Sequence, residues 1–391
     1  MVDLTKEIKF SDLVPRRKRK QAVSTKLAGS GSGRSRKPTK RELVGLKVGA
    51  SQLAAARVVN NGSANLVQLA RQPLERGIVV GGEVRDVPAL ARALDSFFEE
   101  NKLPRRGVRL GLATNRIGVR AFDVDGIADE KQLANAIRFR AHEAVSIPIE
   151  EAVLDYHIVE QTVDDAGAVS RRVLLAAAYR ESIDRYIEAA RAANIELYGI
   201  DLEAFALLRA VGTSSPASEQ ATARAIVAVS LGHDRSTLAI SDGAVCEFTR
   251  VLEWGGGKLE SAIVVDLGVT PEEAVELKLS ASLEPDADEQ GQDPRTKAVH
   301  GAIRRELQKL GRELVASLQS YQTQPGSLAI SEILVSGGTS QLPGLPEELE
   351  RITRVGVRRV DPLAHVKSAE DAQVRDDLAS LTIAIGLGIE A

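Results

Sequence analysis

Two stretches of the chain, "VGLKVGAS" at residues 44–51 and "VAVSLGHD" at residues 227–234, share one form: an apolar strand, a glycine turn and a returning strand. A turn containing glycine lets successive backbone N–H groups converge on one anion, so two such hairpins facing each other could clamp a polyphosphate. A single hairpin is a weak signal, because ordinary α/β sheets contain many. Two further elements strengthen it. "ILVSGGTSQLPGL" places Gly337, Gly338 and Thr339 between an apolar strand and a helix start, and "GGGKLESAI" sets Gly255, Gly256 and Gly257 before another helix. Helix N-termini favour negative ligands. The four turns in this order are more specific than any one of them.

Those turns need a framework. The chain has 391 residues, 43% of them hydrophobic, enough for two or three domains with sizeable cores. No apolar run is long enough to span a bilayer, and "MVDLTKEIKF" lacks the apolar block of a signal peptide, so the expected location is the cytoplasm. A single cysteine, Cys246, leaves no disulfide framework, and the five histidines are scattered without metal-ligand spacing. No nucleophile elbow, P-loop lysine motif or zinc pattern is present. The net charge of −3 hides a polarity: residues 1–41 hold 13 Lys and Arg against 3 acids, and the rest carries −13. An acidic body is a poor match for nucleic acid.

Five regions are expected. Residues 1–41 form a basic tail and Gly/Ser linker that cannot bury enough apolar surface to fold. Residues 42–82 and 196–212 form a first lobe, 83–195 an inserted interaction subdomain, 213–224 a linker, and 225–391 a second lobe with a small subdomain near 261–328. The lobes repeat each other. With Gly232 laid on Gly49, each copy reaches a polar-glycine turn, Asn61-Gly62 in the first and Asp242-Gly243 in the second. The closing segment "LASLTIAIGLGIEA" is expected to be a helix packed on its own, second domain.

The order of hairpin, repeated hairpin, "GGGKLESAI" and "LVSGGTSQLPGL" resembles the superfamily of actin, sugar kinases and chaperone ATPases. Within it, "AIRFRAHEAVSIPIEEAVLDYHIV" and "LLAAAYRESIDRYIEAARAANIELYGIDLEAFAL" resemble the PilM family of type IV pilus assembly proteins, relatives of the cell-division protein FtsA. The resemblance runs from about residue 42 to the C-terminus. It implies a two-lobe, actin-like (ribonuclease H-like, duplicated) α/β fold with an inserted domain. It also implies ATP as cofactor and docking on the cytoplasmic tail of a PilN-like inner-membrane protein within the pilus assembly complex. By analogy the first phosphate loop runs from Lys47 to Ser51, with Gly49 and Ala50, and the second from Ser230 to Arg235, with Gly232, His233 and Asp234. Gly337, Gly338 and Thr339 lie on the adenosine side, Gly256, Gly257 and Lys258 at the cleft edge, and Lys278 reaches the nucleoside.

The chain departs from the family at charged positions. Where the loops usually carry an acid near magnesium it has Lys47 and Ser230, and Val275 stands where a glutamate commonly precedes the nucleoside lysine by three residues. At an effective dielectric of about 20 and about 5 Å, a unit charge pair is worth roughly 3 kcal/mol, so a lysine beside Mg²⁺ changes the metal's energy substantially. Toward phosphates the sign reverses. Three readings follow: a degenerate site kept as scaffold, ATP binding without turnover, or an ATPase recruiting an acid such as Asp234. An FtsA-like polymer beneath the membrane is a further alternative, with a homo-oligomer as its consequence, although the C-terminal segment lacks a basic face. In the tail, Arg16, Arg17, Lys18, Arg19 and Lys20 could attract an anionic membrane surface. Phe10, Leu13, Val14 and Pro15 ahead of them resemble the PilN motif that docks in the PilM groove.

Overall fold

The computed structural model describes residues 41–390 apart from 128, 146, 164–167, 213–223, 244, 285–292 and 369–376. The tail motif from Phe10 to Lys20, nearly all of the 213–224 linker and most of the acidic loop near 284–293 therefore lie outside the described residues.

The chain opens with three antiparallel strands, β1 (Arg41–Val48), β2 (Gln52–Asn60) and β3 (Ala64–Pro73). A two-stranded ribbon follows, β4 (Val79–Val80) and β5 (Glu83–Val84), then helix α1 (Val87–Glu100), started by the Asp86 side chain accepting from the Ala89 N–H. Strand β6 (Val108–Leu112) returns beside β1, in parallel. Next come β7 (Ile117–Asp125), α2 (Glu130–Ala144), β8 (Ala152–Val163), β9 (Val169–Tyr179) and α3 (Arg180–Ala192). Strand β10 (Leu197–Leu202) then pairs in parallel with β6 and runs into α4 (Glu203–Val211).

The second half repeats this order. Strands β11 (Arg224–Leu231), β12 (Ser236–Ser241) and β13 (Cys246–Leu252) form the antiparallel meander. Helices α5 (Gly256–Leu267), α6 (Pro271–Ser280) and α7 (Pro294–Gln322) follow, and β14 (Ala329–Ser336) lies parallel to β11. Then come α8 (Leu345–Thr353), β15 (Val357–Arg359), β16 (Lys367–Ser368) and α9 (Thr382–Gly388). The first sheet has the order β10-β6-β1-β2-β3-β16 and the second β13-β12-β11-β14-β15, so each lobe is a three-stranded meander extended by two parallel strands. The turn glycines of the repeat match as well: Gly62 and Gly243 have φ of 95° and 93°, a left-handed conformation in which a side chain would be strained.

Two boundaries differ from expectation. Strand β6, inside the 83–195 span, is buried along its whole length between β1 and β10 of the first sheet. The separate sheet is β7-β9-β8, with the buried Leu133, Ile137 and Ala141 of α2 packed on it. A continuous apolar run such as "VRLGL" announces a buried strand without saying which sheet it joins. The C-terminal helix, expected on the second lobe, packs on the first, with α9 against β1, β2 and α4, and β16 beside β3.

That docking depends on close approach and on buried charge. A Cβ at Gly45 of β1 would lie 2.1 Å from the Ala384 carbonyl oxygen, so only glycine admits α9 there. At the C-terminal end of α9, Arg109 donates to the carbonyls of Leu387 (3.1 Å) and Ile389 (2.8 Å), and Arg209 Nε to that of Gly386 (2.9 Å). Arg209 also pairs with Asp201, which is fully buried. Cations suit a helix C-terminus, whose last carbonyls have no partner within the helix. Burial, and then the charge of Arg209, pull the Arg109 guanidinium down to about 10, which leaves it protonated at neutral pH.

Replacing Arg209 by leucine strands the Asp201 carboxylate in the core. The expected cost is about 3–5 kcal/mol of unfolding free energy, to be read from urea denaturation of Arg209→Leu against the parent chain.

Candidate functional site

The two hairpins close with the same bond. Gly49 N–H donates to the Gln52 carbonyl at 2.9 Å, and Gly232 N–H to the Arg235 carbonyl at 3.1 Å. The register therefore sets Ala50 and Ser51 at one tip and His233 and Asp234 at the other. Lys47 and Ser230 occupy the equivalent position two residues before each turn glycine.

The second hairpin is stitched to its neighbours. Gly256 N–H donates to the Gly232 carbonyl and Gly257 N–H to that of His233, both at 2.8 Å, and Thr339 Oγ1 donates to the Gly232 carbonyl at 3.0 Å. A Cβ at Gly255 or at Gly337 would come within 2.4 Å of the His233 or Leu231 carbonyl oxygen, respectively. The glycine run thus serves close packing, and the first amides of α5 face the hairpin loop.

These turns enclose a cavity of about 310 Å³ between the lobes. Lys47, Gly49, Ala50, Ser51, Ser230, Gly232, His233, Asp234, Lys278, Gly337, Gly338 and Thr339 all line it. Gly256 lies behind Thr339, whose Oγ1 would be 2.5 Å from an added Cβ. Gly257 and Lys258 open on an adjoining cavity of about 460 Å³, shared with Arg76, Glu260 and His233.

The charges around the cleft are paired. Lys47 Nζ lies 3.6 Å from Glu203 Oε2, at the first turn of α4, with the two side chains only 16% and 7% exposed. Asp234 Oδ2 accepts from the Gly81 N–H at 2.8 Å and stands 3.8 Å from Arg235 Nε. Asp377 accepts from Arg71 at 3.0 Å. Lys278 binds Glu260 of α5, which also approaches Arg76 at 3.6 Å and His233 Nδ1 at 3.7 Å. Lys278 therefore draws its carboxylate from another helix, and not from the position taken by Val275. Burial holds His233 below its ordinary value, Glu260 opposing, so that this imidazole is neutral at pH 7. Burial also lowers Arg235, whose side chain is 14% exposed and donates to the Ala113 carbonyl at 3.2 Å.

The lining suits a nucleotide. Ser230 is buried, and its Oγ has no hydrogen-bond partner among the described residues although it borders the cavity, so an oxygen-bearing ligand would satisfy it. A divalent cation fares differently. Mg²⁺ is held by oxygen anions, and the carboxylates around the cavity each face a cation or an N–H group, Asp377 Oδ1 alone among them being a buried oxygen without a hydrogen-bond partner among the described residues. Among the described residues no group of three or more His, Cys, Asp or Glu is placed to hold a metal ion.

Three contributors had no assigned role in the sequence reading: Glu203, Glu260 and Asp377. Glu203 left one local signal, an acid opening the otherwise apolar "EAFALL" directly after a strand. Arg235 was expected only as the last residue of the second phosphate loop, and it lines the cavity. Glu260 and Asp377 reach the site only through the packing of α5 and of the segment before α9.

The same architecture recurs in known proteins. The model of the type IV pilus assembly protein PilM family matches residues 45–391. FtsA, the cell division protein of Escherichia coli K12, is 23% identical over 368 residues, covering 84% of this chain and 86% of FtsA. Among solved structures, the PilM-PilN type IV pilus biogenesis complex superposes with a TM-score of 0.74 at 24% identity, covering 89% of this chain and 98% of the other. The ethanolamine utilization protein EutJ of Carboxydothermus hydrogenoformans gives 0.52 at 14% identity, covering 90% of each chain. ADP-bound MreB5 of Spiroplasma citri gives 0.50 at 12%, covering 89% and 94%. The duplicated, actin-like lobes are shared by all three folds, and because the family model spans nearly the whole described chain, this protein belongs to the type IV pilus assembly protein PilM family.

Proposed function

We propose that this PilM-family protein acts as an adaptor in type IV pilus assembly, docking the cytoplasmic tail of a PilN-like inner-membrane protein and holding ATP in its interlobe cleft without efficient turnover. The match to PilM over residues 45–391 carries the assembly role. The partner is suggested by the likeness to a PilM structure solved as a complex with PilN. Among the described residues no helix is long and apolar enough to cross a membrane, which accords with attachment through a partner.

The cofactor reading rests on the two hairpin turns, the unpartnered Ser230 Oγ and the Gly337–Thr339 turn lining one cavity. Bound ATP would place its phosphates between the hairpins, with Lys47 and the turn amides as donors. Adenosine would lie toward Lys278 and Gly338. Hydrolysis relies on a positioned metal or an equivalent charge and on an acid or base to orient water. The acids here are neutralised by Lys47, Arg235 and Lys278. A second reading, a working ATPase, is favoured by one observation: Glu203 brings a buried carboxylate into the cleft.

Phosphate release measured with saturating ATP and Mg²⁺ separates the two. The adaptor predicts a rate no different from that of Glu203→Gln, whereas turnover that falls about 100-fold in Glu203→Gln would establish the enzyme. The docking role predicts saturable binding of a fluorescent PilN-like tail peptide to the full chain, in the micromolar range or tighter. No binding at millimolar peptide would overturn it. Deleting residues 1–20 is expected to raise that affinity if the tail competes for the same groove.

A further inference from the structure

Gly81 and Gly82, at the ribbon between β4 and β5, both take left-handed conformations, with φ of 66° and 69°. A Cβ at Gly81 would sit 2.8 Å from one terminal nitrogen of Arg235, and one at Gly82 would sit 3.1 Å from the other. The first lobe thus leaves room for a guanidinium that comes from the second. Arg235 is held there by the Ala113 carbonyl at 3.2 Å and by Asp234, itself fixed by the Gly81 N–H. Its Nε is buried with no hydrogen-bond partner among the described residues, and the side chain borders the cavity.

The repeat makes the placement informative. One cation arrives from each copy of the hairpin, Lys47 from the strand before the first turn and Arg235 from the end of the second turn, just ahead of β12. Around the cavity, Lys47, Arg71, Arg235 and Lys278, with Arg76 beside them, face Glu203, Asp234, Glu260 and Asp377. Among the residues lining the cavity, Lys47, Arg235 and Lys278 balance Glu203, Asp234 and Asp377, His233 being neutral. Each of these carboxylates faces a cation or an N–H group, Asp377 keeping one buried oxygen without a hydrogen-bond partner among the described residues, whereas an arriving phosphate chain meets preplaced positive charge. A preorganised arginine loses little freedom on binding, and its planar fork matches phosphate oxygens.

We infer that the cleft binds its polyphosphate without a divalent cation, Arg235 and Lys47 supplying the positive charge and Lys47 exchanging Glu203 for a phosphate oxygen when the ligand enters. Resting on the nucleotide reading above, the inference changes what that reading requires of solution conditions. Mg²⁺ competes for the phosphates without adding contacts to the protein, so it leaves binding unchanged or weakens it.

Calorimetric titration of the full chain with ATP and with inorganic tripolyphosphate, each in EDTA and in 5 mM Mg²⁺ taken as roughly a cellular excess, tests this. The expected result is ATP affinity in EDTA equal to or up to about tenfold above that in Mg²⁺. Loss of about tenfold or more in EDTA is expected for Arg235→Met and for Lys47→Met, with melting curves showing both variants folded. Lys47→Asp is expected to lose binding in EDTA and regain part of it with Mg²⁺. Should Arg235→Met fail to fold, Arg235→Gln and the Lys47 variants carry the comparison. Affinity that rises tenfold or more with Mg²⁺ in the parent chain overturns the inference and leaves the nucleotide reading standing. Tripolyphosphate binding in EDTA without ATP binding overturns the nucleotide reading and leaves the metal-free anion site. Binding of neither ligand overturns both, and unchanged affinity in folded Arg235→Met removes Arg235 from the site.

Discussion

Helix α4 ties together the first strand, the closing helix and the cleft. In its last turn Arg209 pairs with the buried Asp201 and donates to Gly386, so the closing helix α9 is held against β1. In its first turn Glu203 meets Lys47 at the other end of the same strand contact, in the cavity wall. One short helix therefore fixes both the C-terminus and the charge facing a ligand. Because α9 lies on Gly45, two residues before Lys47, a change that loosens α9 would be felt at the phosphate loop through β1. Strand β1 and helix α9 meet here, so the first lobe is assembled from the first and the last described elements of the chain.

The cleft is unusual in having its charges settled internally. Buried ion pairs contribute little net stability, because desolvation offsets attraction, while removing one partner is costly. Their value lies in placement: each carboxylate is held by a cation, and the cations remain beside the cavity. An incoming phosphate needs only to displace a carboxylate from a lysine, an exchange between like partners. A metal would have to displace a cation from a carboxylate and then remain near it. That asymmetry is the physical basis of the metal-free anion binding inferred above.

Membership of the PilM family and the likeness to FtsA, EutJ and MreB5 folds set this chain among duplicated two-lobe proteins. The inserted β7-β9-β8 sheet with α2 is the part that breaks the internal repeat, and it forms a sheet separate from both glycine-turn hairpins. An adaptor can use such a division, with recognition on the insert and a rigid, charge-balanced core behind it. Fold alone does not settle function, and here the side chains of the cleft, more than the fold, argue against assuming a metal-dependent ATPase.

The sequence by itself determined what is local and periodic. The hairpin glycines at 49 and 232, the polar-glycine turns at 62 and 243, the apolar stripe of α2 and the Asp293-Pro294 start of α7 are each readable from neighbouring residues, because turn and capping chemistry acts over a few positions. The duplicated order of turns made the fold class legible and marked Lys47 as anomalous. Tertiary structure alone decided the rest: that β6 joins the first sheet, that α9 crosses to the first lobe, and that Glu203, Glu260 and Asp377 neutralise the cations of the cleft. Those pairings join residues from 18 to 306 positions apart on separate elements, and an acid in a sequence carries no sign of which cation it will face. The meaning of Lys47 changed accordingly, from a lysine misplaced beside a metal to one half of a buried pair with Glu203.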